Sequence, residues 1–458
     1  MPLDLAKLVK PEIEALLRES RLDDLQKSCS ELHAADLQSL IVQLEAQDQV
    51  TIIESLESEQ RAEVFEYFEL EEQRALIDAL SKATRKSILN QLAPDNRAEL
   101  FDELPDKLKE ELLAELSVEE RDVTLNLLEQ EEDTAGRLMT PELISIRATD
   151  TVQAAFDAVR KESEHVETIY VVYVVDDDGC LVGTVSLRDL FRAKVDDIVK
   201  YVMTTDPISA EVHVDQEELA TTMQRYDLIA LPIVDKNKRL VGIVTFDDIQ
   251  DVLEEEASED ILRMHGIAAE ADSYFDASIG RKFSQRMIVL AALAVVSFFS
   301  VLLQKEFNHV ITQVSILAVY LTLLMGSSGN CGTQVAGIII RAQAIELERG
   351  RFARILGREI VVGVLMAMMM AAMAAGLVFI FGAQPETLGE FEIGHLALVV
   401  GLAMFGALTT INLLGGIVPV LMKAFGLDPA LTAGPFITTT ADIVTVLIYF
   451  NIAAWMLS

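Results

Sequence analysis

Asp442 is a carboxylate lying well inside an apolar stretch of this 458-residue chain. A charged Asp at the centre of a bilayer costs roughly 2.5–3.5 kcal/mol even on insertion scales, so it should not face lipid. It is either a buried Asp hydrogen-bonded to a neighbouring helix or a cation site. No intramembrane Lys or Arg is at hand to pair with it, which favours a cation. Thr438, Thr439 and Thr440 precede it and offer hydroxyls and loosened carbonyls. Those are hard oxygen donors suited to Mg²⁺ or Ca²⁺, whereas a soft metal would need a His, Cys or Met cluster. Met366, Met368, Met369, Met370 and Met373 form such a group, but at helical density they read as packing rather than as a copper site. A second polar run, Gly326 to Gln334 with Asn330 inside it, interrupts another apolar stretch. It should make a poor continuous helix, and freed backbone at membrane depth must face protein or a watery cavity. Close helix packing by small residues is the competing reading; Asn330 and Gln334 favour a pore lining. Thr409, Thr410 and Asn412 supply a third polar set, before Gly415 and Gly416.

The elements that must hold these residues are apolar stretches at about 287–303, 311–340, 359–382, 394–422 and 430–457, each near the ~20 residues that cross a bilayer. Arg281, Lys282 and Arg286 precede the first stretch, Arg341, Arg349, Arg351, Arg354 and Arg358 join the second to the third, and Lys423 follows the fourth. The opposite loops carry Lys305, Glu386, Glu390 and Glu392. The positive-inside rule then puts the N-terminus in the cytosol and, after five spans, the C-terminus outside.

Charge divides the chain at the same place. Residues 1–280 hold 27 Lys and Arg against 64 Asp and Glu, a net of −37, while residues 281–458 hold 10 against 9, a net of +1. An acidic field of that size repels nucleic acid and attracts cations. Cys29, Cys180 and Cys331 share no metal spacing and form no disulfide framework. The charged opening, Met1 to Arg21, reads as no signal peptide. No nucleophile–base pair appears in the apolar half, so an enzyme is not expected.

Residues 1–130 repeat. Leu44, Leu56, Phe68, Leu80, Leu92, Leu104, Leu116 and Leu128 recur every twelve residues. Each unit reads as a short helix ending on that apolar residue, with Ala93-Pro94-Asp95 starting one helix and Ser117 to Glu120 forming a capping box before another. Units this small should stack into an all-α superhelix. Its acidic excess is, by composition alone, also consistent with a solvated face. A second repeat occupies 137–199 and 200–256. Each copy predicts a βαββα unit, with strands at 168–175 and 181–185, then 230–234 and 240–244, and helices from Leu187 and Phe246. The pair resembles tandem CBS modules, an α/β regulatory fold that often binds adenosyl nucleotides or ions. A charged helix over 257–280 should link it to the membrane domain.

In that order, with Gly-Asn-x-Gly-x-Gln at Gly329–Gln334 and Asp428-Pro429-Ala430 followed by Pro435 and Asp442, the chain resembles the MgtE family of Mg²⁺ channels from about residue 20 to its end. The resemblance implies a homodimer in the cell (inner) membrane, with ten spans around one pore. There Asp442 matches the pore carboxylate and Asn330 a pore residue. It implies regulatory Mg²⁺ sites at Glu63, Asp95 and Glu99 of the superhelix and at Asp215, Glu217, Asp227 and Asp248 of the second CBS unit. Glu256, Glu259 and Asp260 of the linking "plug" helix, with Asp428, complete the set. Glu99 stands where an Asp is common and Gly434 where an Asn is frequent. ATP is an implied ligand with Arg188 and Asp189 in matching places, although Val171 and Leu228 stand where aromatics can cradle adenine. Expected partners are Mg²⁺, lipid and a second copy, and Mg²⁺ on the acidic domain should close the pore. A transporter for Co²⁺ or Ca²⁺ would share these features. A CBS-regulated carrier of an organic or anionic solute should show intramembrane Arg or Lys, which the spans lack.

Overall fold

The computed structural model describes residues 5–163, 166–267, 279–344, 349–381, 392–432 and 434–457. The chain forms two compact units, Met1–Glu255 and Glu256–Ser458.

The first unit opens with short helices α1 (Leu5–Arg18), α2 (Leu22–Ser30), α3 (Ala34–Ile41), α4 (Ala46–Ser55), α5 (Ser58–Glu66), α6 (Leu70–Ala79), α7 (Lys82–Leu89), α8 (Pro94–Asp102), α9 (Asp106–Leu113) and α10 (Val118–Leu128). Helices this short are marginal alone and need a shared core. The twelve-residue repeat supplies it: Leu56, Phe68, Leu80, Leu92, Leu104 and Leu116 are buried in one cluster, with Leu44 and Leu128 packed against its ends. Pro94 starts α8 at a position that needs no amide. The expected capping box at α10 is only half made. Ser117 Oγ accepts from Glu120 N at 3.1 Å, but the Glu120 carboxylate turns to Arg97, and Ser117 N donates to Asn90 Oδ1 instead. Arg97 is fully buried, and its other N–H groups donate to Thr124 Oγ1 (2.8 Å), Leu89 O (3.2 Å) and Leu92 O (3.0 Å). A buried guanidinium with this many acceptors pins α8 to α10 and to the preceding turn.

After α11 (Ala135–Leu138) come β1 (Ser145–Arg147), α12 (Val152–Glu162), β2 (Val171–Val175), β3 (Leu181–Ser186) and α13 (Leu187–Arg192), then β4 (Thr204–Thr205), β5 (Ala210–Glu211), α14 (Gln216–Tyr226), β6 (Ala230–Val234), β7 (Leu240–Thr245) and α15 (Phe246–Met264). The sheets run β1-β2-β3-β4 and β5-β6-β7, the first pair parallel and the rest antiparallel in each. The two copies are not contiguous blocks. Thr204–Thr205, from the second, joins β3 of the first, while Thr140 bridges Ile243 of β7. Glycines permit both crossings: a Cβ at Gly183 would lie 2.9 Å from Thr204 O, and one at Gly242 2.9 Å from Thr140 O. The last helix of the second copy also does not stop at 256. It continues unbroken to Met264, so the linking helix and α15 are one element; 268–278 lie outside the described residues.

The second unit continues with α16 (Ile279–Glu306), α17 (Asn308–Gln313), α18 (Leu317–Ala344), α19 (Arg349–Phe381), α20 (Ile393–Ala424) and α21 (Pro435–Leu457). Four of these, α16, α19, α20 and α21, are long and apolar enough to cross a membrane by length and composition. The expected second span, α18, has 28 residues, about 42 Å of helix, but its polar middle dilutes its hydropathy. Contrary to expectation, Gly326–Gln334 does not break it. Packing keeps it helical: Ser328 Oγ donates back to Leu324 O at 2.8 Å and meets Thr445 Oγ1 at 2.6 Å. A Cβ at Gly332 would meet Ile437 and Ile411 at 2.5 and 2.7 Å. The small residues thus let helices approach closely. α20 is the most enclosed of the four apolar helices and α16 the least.

Candidate functional site

The N-terminal turn of α8 and one face of α15 form an acidic seam within the first unit. Asp95, second residue of α8, is buried, and its Oδ1 has no hydrogen-bond partner. Burial first, then the charges of Asp248 and Glu167, push its carboxyl well above the usual range. Asp248 is likewise raised, to about 6, mainly by burial, although Thr245 donates to its Oδ2 through Oγ1 (2.6 Å) and N (3.2 Å). That contact also caps α15, so Asp248 has a local structural role. Ser186 and Asp189 make the same contact at the start of α13, at 2.6 Å. Glu99 and Glu167 are raised to about 7, by desolvation and then by neighbouring carboxylates: Glu255, Asp251 and Asp248 for Glu99, and Asp248, Asp247 and Glu66 for Glu167. Both side chains still reach solvent, which screens part of that effect. Glu66 is raised by burial, with its Oε1 accepting from Ala93 N at 3.1 Å.

The seam therefore unites Asp95, Glu99 and Asp248, and adds Glu66, Glu167, Asp251 and Glu255, which sequence reasoning missed. Helical spacing carried the signal: Asp248, Asp251 and Glu255 stand at i, i+3 and i+7, and Glu63 and Glu66 at i, i+3. Glu63 enters only as a charge beside Glu66. Asp215 and Asp227 are not brought to the seam or to each other. Asp215 caps α14, accepting from Glu217 N at 2.9 Å, and Asp227 ends that helix in the left-handed region at φ 52. About 18 Å of helix separates them. Arg188 is exposed beside the Asp189 cap. Among the described residues, no three His, Cys, Asp or Glu converge tightly enough to grip a bare metal ion.

In the second unit Glu259, Asp260 and Asp428 gather around Arg263. The guanidinium pairs with Glu259, and its Nη1 donates to Asp428 Oδ2 at 3.1 Å. Glu256 is half-buried three residues before Glu259.

Asp442 lies about two turns into α21 and is half-buried. α18 and α21 run antiparallel: Tyr449 donates to Leu317 O, Ser328 meets Thr445, and Gly329 and Gly332 face Thr438 and Ile437. Gly329 and Gly332 flank Asn330, so it stands opposite Ile437 and Thr438, about one helical turn from Asp442. Asn330 is exposed. The described ion pairs of this unit, Arg263 with Glu259 and Asp428, leave Asp442 out.

Residues 321–452 match the family model MgtE, divalent cation transporter; 32–133 match the MgtE intracellular N domain; 135–196 and 195–255 match CBS domains. "Magnesium transporter MgtE" of Enterococcus faecalis is 36% identical over 73% of this chain and 72% of its own length, and that of Thermus thermophilus 36% over 72% of each. The chain belongs to the MgtE family. Among solved structures, the soluble part of a magnesium transporter is similar at 31% identity and TM-score 0.53, covering 55% of this chain and 99% of that one. The cytosolic domain of the Mg²⁺ channel MgtE in complex with ATP is similar at 34% and 0.51, covering 53% and 99%. An MgtE-family chain joins a cytosolic helical domain and a CBS pair to an apolar helical domain, the order found here.

Proposed function

We propose that this protein carries Mg²⁺ across the cell (inner) membrane and is closed by Mg²⁺ binding to its acidic cytosolic half. The observation that carries the transport reading is Asp442 in α21, about one helical turn from the level of the exposed Asn330 of α18. An amide and a carboxylate at membrane depth demand water, a cation or a second copy of the chain. A two-fold dimer would supply two Asp442 carboxylates to one hydrated ion, and Mg²⁺ sheds its water reluctantly. Curated relatives named as magnesium transporters favour Mg²⁺ over Co²⁺ or Ca²⁺. The loop charges support a cytosolic N-terminus and a C-terminus outside.

The acid seam supports the sensor reading. At low Mg²⁺, Asp95, Glu99, Glu167 and Asp248 oppose each other and their own burial. An ion with its water shell, held among them, offsets both effects, so it prefers the packed state. That differential affinity is the requirement for a ligand to shift an equilibrium. Because α15 is one helix, it carries Asp248 near one end and Glu259 near the other. Glu63, Asp215, Glu217, Asp227, Glu256, Asp260 and Asp428 complete the proposed regulatory set. Asp215 and Asp227 can share an ion only with residues from elsewhere, a partner chain included. ATP at Arg188 and Asp189 is a second ligand of this reading, favoured by the ATP-bound relative.

Purified protein in liposomes, loaded with an ion-sensitive dye, tests transport against Mg²⁺, Co²⁺, Ca²⁺ and Na⁺. Asp442→Asn should abolish Mg²⁺ flux while leaving a dimer of unchanged elution. Parent-like flux in that variant would remove the pore assignment.

A further inference from the structure

Arg263 sits one residue from the end of α15 and reaches two elements at once. It pairs with Glu259 on its own helix and, at 3.1 Å, with Asp428 in the segment before α21. Asp428 is fixed for this contact, because its other oxygen accepts from Ala430 N at 2.7 Å. Asp260 is near enough for Asp428 to raise its pKa, behind burial as the larger cause, while Arg263 lowers it. Two carboxylates thus pair with one guanidinium while Asp260 feels its charge, leaving a local formal charge of about −2.

The backbone is equally close. A Cβ at residue 434 would clash with Met264 O, a contact that glycine alone avoids. Gly266, with φ +71, follows the helix, and a Cβ there would lie 3.3 Å from Pro435 Cγ and Val289 Cγ1. The end of α15 is therefore seated on the start of α21, eight residues before Asp442.

We infer that Arg263 is a built-in cation that latches the end of α15 to the mouth of the membrane domain, performing with a guanidinium the bridging that a regulatory divalent ion performs. The inference rests on the Mg²⁺-gated reading above. Being covalently attached, this cation acts even without Mg²⁺, and the residual negative charge still accommodates one divalent ion. Arg263 therefore lowers the Mg²⁺ concentration needed for closure.

The test is a Mg²⁺ titration on the cytosolic face of inside-out patches, comparing the parent, Arg263→Gln, Arg263→Lys and Asp248→Asn. Arg263→Gln should raise the closing midpoint roughly fivefold, the factor corresponding to about 1 kcal/mol for a partly exposed ion pair. Arg263→Lys keeps the charge but not the fork, so its midpoint should fall between the two. If Arg263→Gln fails to fold, the Lys variant carries the test, and a midpoint equal to the parent's overturns the latch. A lower midpoint in the Gln variant also overturns it, since the guanidinium would then be blocking an ion. Either result leaves the sensor reading standing if Asp248→Asn still shifts the midpoint upward. A parent insensitive to cytosolic Mg²⁺ removes both.

Discussion

Asp95→Asn tests whether the seam is a strained, ion-ready site. Asn has the shape of Asp without its charge, so packing at the start of α8 should survive. The sign of the effect follows from direction. Asp95 and Asp248 have folded pKa values above their unfolded ones, so the folded state holds protons that the unfolded chain has released. Stability from this pair is therefore present at low pH and is lost as pH rises from about 4 through the folded values, near 6 for Asp248 and likewise raised for Asp95. A rise from 3.8 to about 6 corresponds to about 3 kcal/mol for Asp248. Its partial exposure reduces the expected figure to about 2 kcal/mol. Asp95→Asn removes one buried charge and its repulsion of the other. In chelator at pH 7.5 it should stabilise residues 1–267 in urea unfolding by on the order of 1–3 kcal/mol, the usual range for removing a buried unsatisfied polar group, and the gain should vanish near pH 5. Saturating Mg²⁺ should then stabilise the parent more than the variant, because the ion's partner is gone. A variant no more stable than the parent at pH 7.5, or one with full Mg²⁺ stabilisation, would refute the reasoning.

Two other outcomes are expected. Gly415→Ala sets a Cβ 2.7 Å from Gly332 O, a backbone atom that cannot swing away, so α18 and α20 must part; a loss of about 1–3 kcal/mol should appear as a lower thermal midpoint and reduced flux, and an unchanged midpoint would contradict the packing described. A single cysteine at Ser458, in a chain lacking Cys29, Cys180 and Cys331, should react with an impermeant thiol reagent only from outside, and labelling solely from the cytosol would overturn the topology.

The soluble architecture was readable because its signals are local. A twelve-residue apolar period allows little besides short stacked helices, and the buried series from Leu56 to Leu116 follows it. Strand alternation and turn residues located β6 at Ala230–Val234 without error, and β3 and β7 to within one residue at the C-terminal end. What local pattern could not give was exchange. Thr140 and Thr204 read as openings of their own copies, yet each pairs with the other copy's sheet, because Gly183 and Gly242 leave room for a crossing strand. The polar run of α18 failed for a related reason. Gly, Ser and Asn are poor helix formers in isolation, but Thr438, Ile437 and Thr445 of α21 lie against them, and tertiary packing overrides propensity.

The acid residues show the same division between local and remote information. Asp95, Glu99 and Asp248 were named by family likeness, whereas Glu66, Asp251 and Glu255 follow from i+3 and i+7 spacing on helices already recognised. Glu167 had no such signal: it lies outside the regular elements and meets Asp248 only because the CBS pair folds. Arg263 was invisible for a different reason. One basic residue four positions after Glu259 reads as an ordinary i, i+4 pair worth a few tenths of a kcal/mol. It becomes a bridge only through Asp428, 165 residues away, and through Gly434, whose missing side chain admits Met264 O. The glycine that departs from the family's frequent Asn is thus also the residue that lets α15 seat. Selectivity and gating at this mouth should accordingly be tuned together. An Asn at 434 would add an amide beside the proposed pore, but in this chain it would also push the end of α15 off α21.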